Sequence, residues 1–206
     1  MRSKSEILLA IKQQLEFVKD NLHDLKNNPN DAKIKRQSFA NLITWGRTVT
    51  FVIQNLKSVV GEDKFNTWYQ PFQDEMKNDQ LLNMFKDARN NLEKQGKLHT
   101  SSIGLRNFSF DTSMLNNFQP PPNNKGFFIG DQFGGSGWII ELPDGSTEKI
   151  YVDMADIQTW TIEISFSNHA VMHLGQTVTD TSIENCSSLY YDYLKGLVEK
   201  TTLEFK

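Results

Sequence analysis

The stretch Ser5-Glu6-Ile7-Leu8-Leu9-Ala10-Ile11-Lys12-Gln13-Gln14-Leu15-Glu16-Phe17-Val18-Lys19-Asp20-Asn21-Leu22-His23-Asp24-Leu25 decides how the N-terminal half folds. Ile7, Ile11, Leu15, Val18, Leu22 and Leu25 recur at steps of four and three. That spacing lines them along one side of an α-helix and leaves most of the charged residues between them for solvent. Asn27-Asn28-Pro29-Asn30 ends the helix, because Pro29 has no N–H to donate and restricts Asn28 before it.

Outward from this seam the same pattern repeats. Asn30 or Asp31 can cap a second helix. Its apolar positions Ile34, Phe39, Leu42, Ile43, Val49, Val52, Leu56 and Val59 carry it to a stop near Gly61. Gly46 inside a helix costs about 1 kcal/mol against alanine, so its place beside Trp45 suggests a close helix crossing. A third helix holds Phe65, Trp68, Tyr69, Phe72 and Met76, with Pro71 either kinking it or starting a new segment. Asn78-Asp79 offers a cap for a fourth, which buries Leu81, Leu82, Phe85, Ala88 and Leu92 and stops at Gly96. Residues 3–96 therefore read as an antiparallel helical bundle.

The texture changes after Gly96. Residues 102–168 are richer in Ser, Gly, Asn and Phe and alternate in polarity. Trp138 to Leu142, then Pro143-Asp144-Gly145-Ser146, then Thr147 to Val152 reads as a β-hairpin with Asp-Gly turn chemistry. Thr159 to Phe166 alternates strictly and reads as a strand, Ile103 to Phe110 as another, and Pro120 to Asn124 as an extended loop. Thr181-Ser182-Ile183-Glu184 fits a capping box, opening a last helix with Leu189, Tyr190, Tyr193, Leu194, Leu197 and Val198 on its buried side. The expected fold is α+β: an N-terminal antiparallel helical bundle over 1–100, and a β-rich region with a small, mostly antiparallel sheet and a C-terminal helix over 101–206. The last helix can return to either half.

Composition narrows the function classes. With 22 basic and 25 acidic residues the formal net charge is -3, so the bulk shows none of the basic excess of a dedicated nucleic-acid binder. One cysteine, Cys186, excludes an intramolecular disulfide and a four-cysteine zinc site and fits a reducing compartment. Met1-Arg2-Ser3-Lys4-Ser5-Glu6 leads into charged, patterned sequence instead of an apolar signal segment. No stretch approaches the ~18 apolar residues of a membrane span. The expectation is an intracellular, cytoplasmic protein of bacterial type, without a cofactor.

The segment Phe85-Lys86-Asp87-Ala88-Arg89-Asn90-Asn91-Leu92-Glu93-Lys94 carries the most specific signal. Arg89-Asn90 followed by Lys94, late in a helical bundle, resembles the HEPN superfamily of nucleotide-binding and RNase domains, whose motif is an Arg, a polar residue and then a His. The resemblance covers roughly residues 1–96 and departs from the family where Lys94 stands in place of the His. It implies a paired site across a dimer of motif-bearing helices, cleaving RNA without metal, and an association with stress or defence. A His exchanges protons near neutrality because its unperturbed pKa is ~6.5, whereas a lysine starts near ~10.4. Arg89 retains a fork of donors suited to phosphate. A degenerate member would bind a ligand, RNA or a protein partner without cleaving. The alternative is a metal-independent ribonuclease in which Arg89 and Asn90 hold phosphate and Lys94 or His99 moves the proton. A plain surface role is open too, since Arg89 and Glu93 are four apart, as in a helical ion pair.

Four other features bear on function. His169 and His173 would share a face on a helix and could hold zinc, but their context reads as a strand ending in a loop, with no third ligand in view. Gly130 to Gly137 lacks the Lys-Ser/Thr of a phosphate loop and leads into a strand. Cys186 lacks a nearby His and reads as a structural thiol. Phe65, Trp68, Tyr69 and Phe72 form a stacking platform or, at helical spacing, core.

Overall fold

A computed structural model of the chain describes residues 2–96, 98, 100, 102–110, 119–129, 131, 135–152 and 158–206. The fold is α+β, and its contacts divide it into two units: Met1–Gly104 with Ile162–Lys206, and Leu105–Thr161.

In the first unit, α1 (Lys4–Asn27) starts from a capping box the apolar pattern had not singled out. The Ser3 hydroxyl accepts from Glu6 N, and the Glu6 carboxylate accepts from Ser3 N at 2.6 Å. Its six seam residues are all buried. Asp31 caps α2 (Ala32–Gln54), accepting from Ile34 N at 2.9 Å. The expected single helix to Gly61 is broken: Asn55 and Leu56 donate to Val52 and Ile53, three residues back. That tight turn re-aims the chain into the short α3 (Lys57–Val60) while Leu56 stays buried. The apolar pattern runs through the break because packing is kept across it. α4 (Glu62–Asn78) runs through Pro71 as one helix, and α5 (Gln80–Gln95) follows at once, capped by Asp79 and ended by Gly96 in the left-handed region, φ 63°.

The chain returns to this unit through the end of β5 (Gln158–Ser165), then a small hairpin of β6 (Val171–His173) and β7 (Gln176–Val178), then α6 (Ile183–Glu204). α6 belongs with the N-terminal helices, packing along α1 and α2. Its cap is Ser182, accepting from Asn185 N at 3.3 Å, and not the expected Thr181–Glu184 box. The Thr181 hydroxyl instead donates to the Ser167 carbonyl, and the Glu184 carboxylate turns to the buried Lys35 ammonium. Lys35 also donates to the Ile162 carbonyl, and Ile162 N donates to the Pro29 carbonyl at 2.7 Å. One buried lysine thus ties the start of α2 to the end of β5 and the first turn of α6. The core between α2, α5 and α6 is aromatic: Phe85 stacks on Tyr190 at 4.1 Å and meets Phe166 at 5.0 Å, and Phe39 meets Phe166 edge-on at 5.1 Å. Gly46 is the close approach expected from sequence, and the partner is α6: a Cβ there would lie 2.4 Å from the Tyr190 ring.

The second unit contains an antiparallel sheet in the order β2 (Asn124–Phe128), β3 (Ser136–Glu141), β4 (Thr147–Val152). The hairpin read around Asp144-Gly145 is β3–β4, and Asp144 Oδ1 accepts from both Ser146 N and Ser146 Oγ at its turn. Asn124, read as the end of a loop, begins β2. The remaining strand read from sequence, β1 (Ser102–Phe110), pairs with β5. Among the described residues no helix is long and apolar enough to cross a membrane.

Candidate functional site

The helices α2, α4, α5 and α6 of the first unit border a pocket of about 310 Å³. α2 supplies Ile43, Arg47, Thr50 and Gln54, a stripe at steps of four, three and four that turns from apolar to polar along one side of the helix. α4 supplies Tyr69, Gln73, Met76 and Lys77; α5 supplies Leu82, Asn83, Phe85, Lys86 and Arg89; α6 supplies Tyr190. Four of these side chains are cationic and none is acidic.

Arg47 is the centre of this arrangement. Its guanidinium lies 4.0 Å from the centroid of the Phe51 ring, and Nη1 donates to the Thr50 hydroxyl at 3.1 Å. Among the described residues no carboxylate lies within ion-pair distance of it. A half-buried cation without a counter-ion is a standing attraction for an anion. The hydroxyls nearby are donors in waiting. Burial pushes Tyr69 up to about 12 against a smaller downward pull from Arg47, and burial raises Tyr190 in the same way against the same pull. Both therefore stay protonated at neutral pH.

Arg89 reaches the pocket from the other side. It is held by Glu93 at 2.5 Å and sits 5.7 Å from the same Phe51 ring, so two guanidinia flank one phenyl. Asn83 is structural: its amide donates to the carbonyls of Lys77 and Asp79, and its oxygen accepts from Lys86 at 2.6 Å, which steers that ammonium. Of the residues picked out from the motif, Arg89 alone lines the pocket. Asn90 lies beside it, Oδ1 3.5 Å from Arg89 Nη1, and Lys94 is exposed in the last turn of α5, away from the lining. His99 falls outside the described residues. Arg47, Tyr69, Gln73 and Tyr190 were not singled out for this pocket from sequence. The signal that could have found the first was the Arg47–Thr50–Gln54 polar stripe.

The other candidates are placed as follows. His173 is buried, with Nδ1 3.0 Å from Oδ2 of Asp79, while His169 is exposed, its amide donating to Ser167 Oγ. Asp79 also accepts from Leu82 N at 2.8 Å and Leu174 N at 2.7 Å, so one buried carboxylate both caps α5 and clamps the β6–β7 hairpin to it. Among the described residues no group of three His, Cys, Asp or Glu side chains is placed to hold a metal. Burial pushes the Cys186 thiol up to about 12, which keeps it from acting as a thiolate. Phe65 and Tyr69 are buried, with Phe205 and Trp68 packed around Phe65. Asp131 in the glycine-rich segment accepts from Tyr151 and Lys149 and closes on Gly135.

Fold and site together define a helix-dominated α+β protein with a half-open pocket that carries four cationic side chains and no acidic one. The family model described as bacteriophage lambda protein ea47 matches residues 4–108. That is just over half of the chain, and the chain belongs to this family. The matched span holds every residue lining the pocket except Tyr190. No curated protein and no solved structure matches.

Proposed function

We propose that the chain is a binding module whose pocket takes the anionic group of a small ligand, phosphate being the group that suits it best, and that it leaves RNA uncleaved. The observation that carries this reading is Arg47, a guanidinium in an acid-free pocket with no carboxylate partner among the described residues. Guanidinium forks are donors only, and the protonated tyrosine hydroxyls can donate beside them, so an occupant rich in acceptors suits the pocket. The pocket is at the small end of ligand sites, ~300–1,000 Å³. The HEPN likeness of α5 fits within this proposal: Arg89 serves as a second holder of negative charge, and Lys94 stands where a cleaving member would place a proton-exchanging imidazole.

The test uses the full chain with inorganic phosphate, followed by the thermal midpoint, alongside a labelled single-stranded RNA incubated with EDTA. Binding raises the midpoint as phosphate exceeds its dissociation constant. The reading expects a phosphate-dependent rise that Arg47→Ala abolishes, with intact RNA. Metal-free RNA cleavage lost in Arg89→Ala would replace it with the ribonuclease reading. Phosphate leaving the midpoint unmoved would refute the pocket as an anion site.

A further inference from the structure

Independently of the pocket, α1 and α6 form a second surface. The two helices run antiparallel: Lys4 Nζ donates to the Lys206 carbonyl at 3.0 Å, and at the other end Lys19 lies within electrostatic reach of Tyr191. A groove of about 460 Å³ follows them, with buried Leu15 and Val198 in its floor. Its edges carry exposed leucines among charged side chains. Leu203 is 78% exposed on α6, and Leu9 is 58% exposed on the same stripe of α1 as Lys12 and Glu16. Single exposed leucines are ordinary, whereas leucines bordering an apolar groove mark a surface that something covers.

The charges around the groove identify the occupant. Lys12 and Glu16 line it from α1, Lys195 and Glu199 from α6, two of each sign. Within the chain they do not pair with one another: Glu16 pairs with Lys19, and among the described residues Lys12, Lys195 and Glu199 have no ion-pair partner. Their order is the opposite of its own reverse, sign for sign. Lys195 and Glu199 stand equally far from Leu197 in sequence, as do Tyr191 and Leu203; on α1, Lys12 and Glu16 straddle Gln14. The antiparallel register puts Gln14 level with Gly196 and Leu197. A two-fold axis lying across both helices at that level would bring opposite charges together on each, and tyrosine onto leucine.

We infer that this face is closed by a second copy of the chain in an isologous interface. Lys195 then meets the partner's Glu199, Lys12 meets the partner's Glu16, and Tyr191 covers the partner's Leu203. An isologous interface uses a charge order that is the opposite of its own reverse, since each lysine of one copy then faces a glutamate of the other. The dimer uses α1 and α6, not the motif-bearing α5.

Sedimentation equilibrium of the full chain over a range of concentrations tests this. The unaltered chain is expected to dimerise. Leu203→Glu, at an exposed position, should weaken the dimer by at least about tenfold with unchanged circular dichroism. Lys195→Glu should weaken it as well, because two acids then face each other. Adding Glu199→Lys to that variant should restore the dimer, since the exchanged charges pair again across the axis. A chain that stays monomeric at every concentration overturns the inference. So does a dimer indifferent to Leu203→Glu, or a charge exchange that fails to restore what Lys195→Glu removed.

Discussion

Arg47 and Arg89 share one phenyl ring and differ in what holds them. Arg47 has the Phe51 face and a hydroxyl; Arg89 has a carboxylate four residues along its own helix. Arg47→Ala should remove the phosphate response of the thermal midpoint and lower stability by only about 0.5–1 kcal/mol, the worth of an exposed cation–π contact, read from urea unfolding. Glu93 acts in the opposite sense, since it occupies the Arg89 fork an anion would use. A partly exposed pair of this kind is worth about 0.2–1 kcal/mol. Glu93→Gln should therefore tighten phosphate binding by up to about fivefold in a calorimetric titration, and no change would mean that Arg89 does not meet the ligand. Gly46 is a purely steric constraint. Alanine would place its Cβ 2.4 Å from the Tyr190 ring, itself stacked on Phe85. Gly46→Ala should cost about 1–3 kcal/mol in urea unfolding despite alanine's better helix propensity, because the Tyr190 ring must shift off its stack on Phe85 to make room.

Among the elements, the β6–β7 hairpin and α5 depend on one carboxylate. Asp79 accepts from the α5 amide of Leu82, from the hairpin amide of Leu174 and from the His173 ring. Leu174 itself is held at φ 48°, a left-handed conformation that a leucine adopts only when its surroundings impose it. Asp79→Ala should cost about 2 kcal/mol or more, beyond the ~1 kcal/mol of an ordinary cap, because it also strands buried donors. Ser182→Ala, which removes a cap alone, is the comparison, and equal losses in the two variants would refute the clamp. Asp79 was legible from sequence as a cap and His173 as a candidate ligand, yet their pairing was not. They are 94 positions apart, and nothing local to either announces the other. The helices were legible because each seam repeats within one turn. The break at Asn55 was not, since Val52, Leu56 and Val59 keep helical spacing across it. Arg89 was found through its motif. Arg47 was missed because an arginine on a helix that also carries Lys33, Lys35 and Arg36 becomes informative only when α4 and α6 pack beside it.

In the first unit taken whole, several weak acids are held neutral by the same burial that makes the core. Cys186 and Tyr69 are each raised to about 12, and Tyr190 and Tyr193 are raised too, with burial the largest cause in every case. In the unfolded chain the thiol ionises near 9.0 and the phenols near 10.0. A group protonated in the fold and ionised when unfolded binds more protons in the native state, so stability falls as pH rises. The contribution is complete below about pH 9, erodes first through Cys186 and then through the tyrosines, and for Cys186 and Tyr69 is spent by about pH 12. Urea midpoints should thus stay level between neutrality and about pH 9 and then decline. Cys186→Ala, though less stable overall through the lost packing, should delay the decline until the phenols begin to ionise. A profile whose onset Cys186→Ala leaves in place would show that the thiol is not the first group to report the opening of this core, and would move the origin of alkaline unfolding to the tyrosines around the pocket.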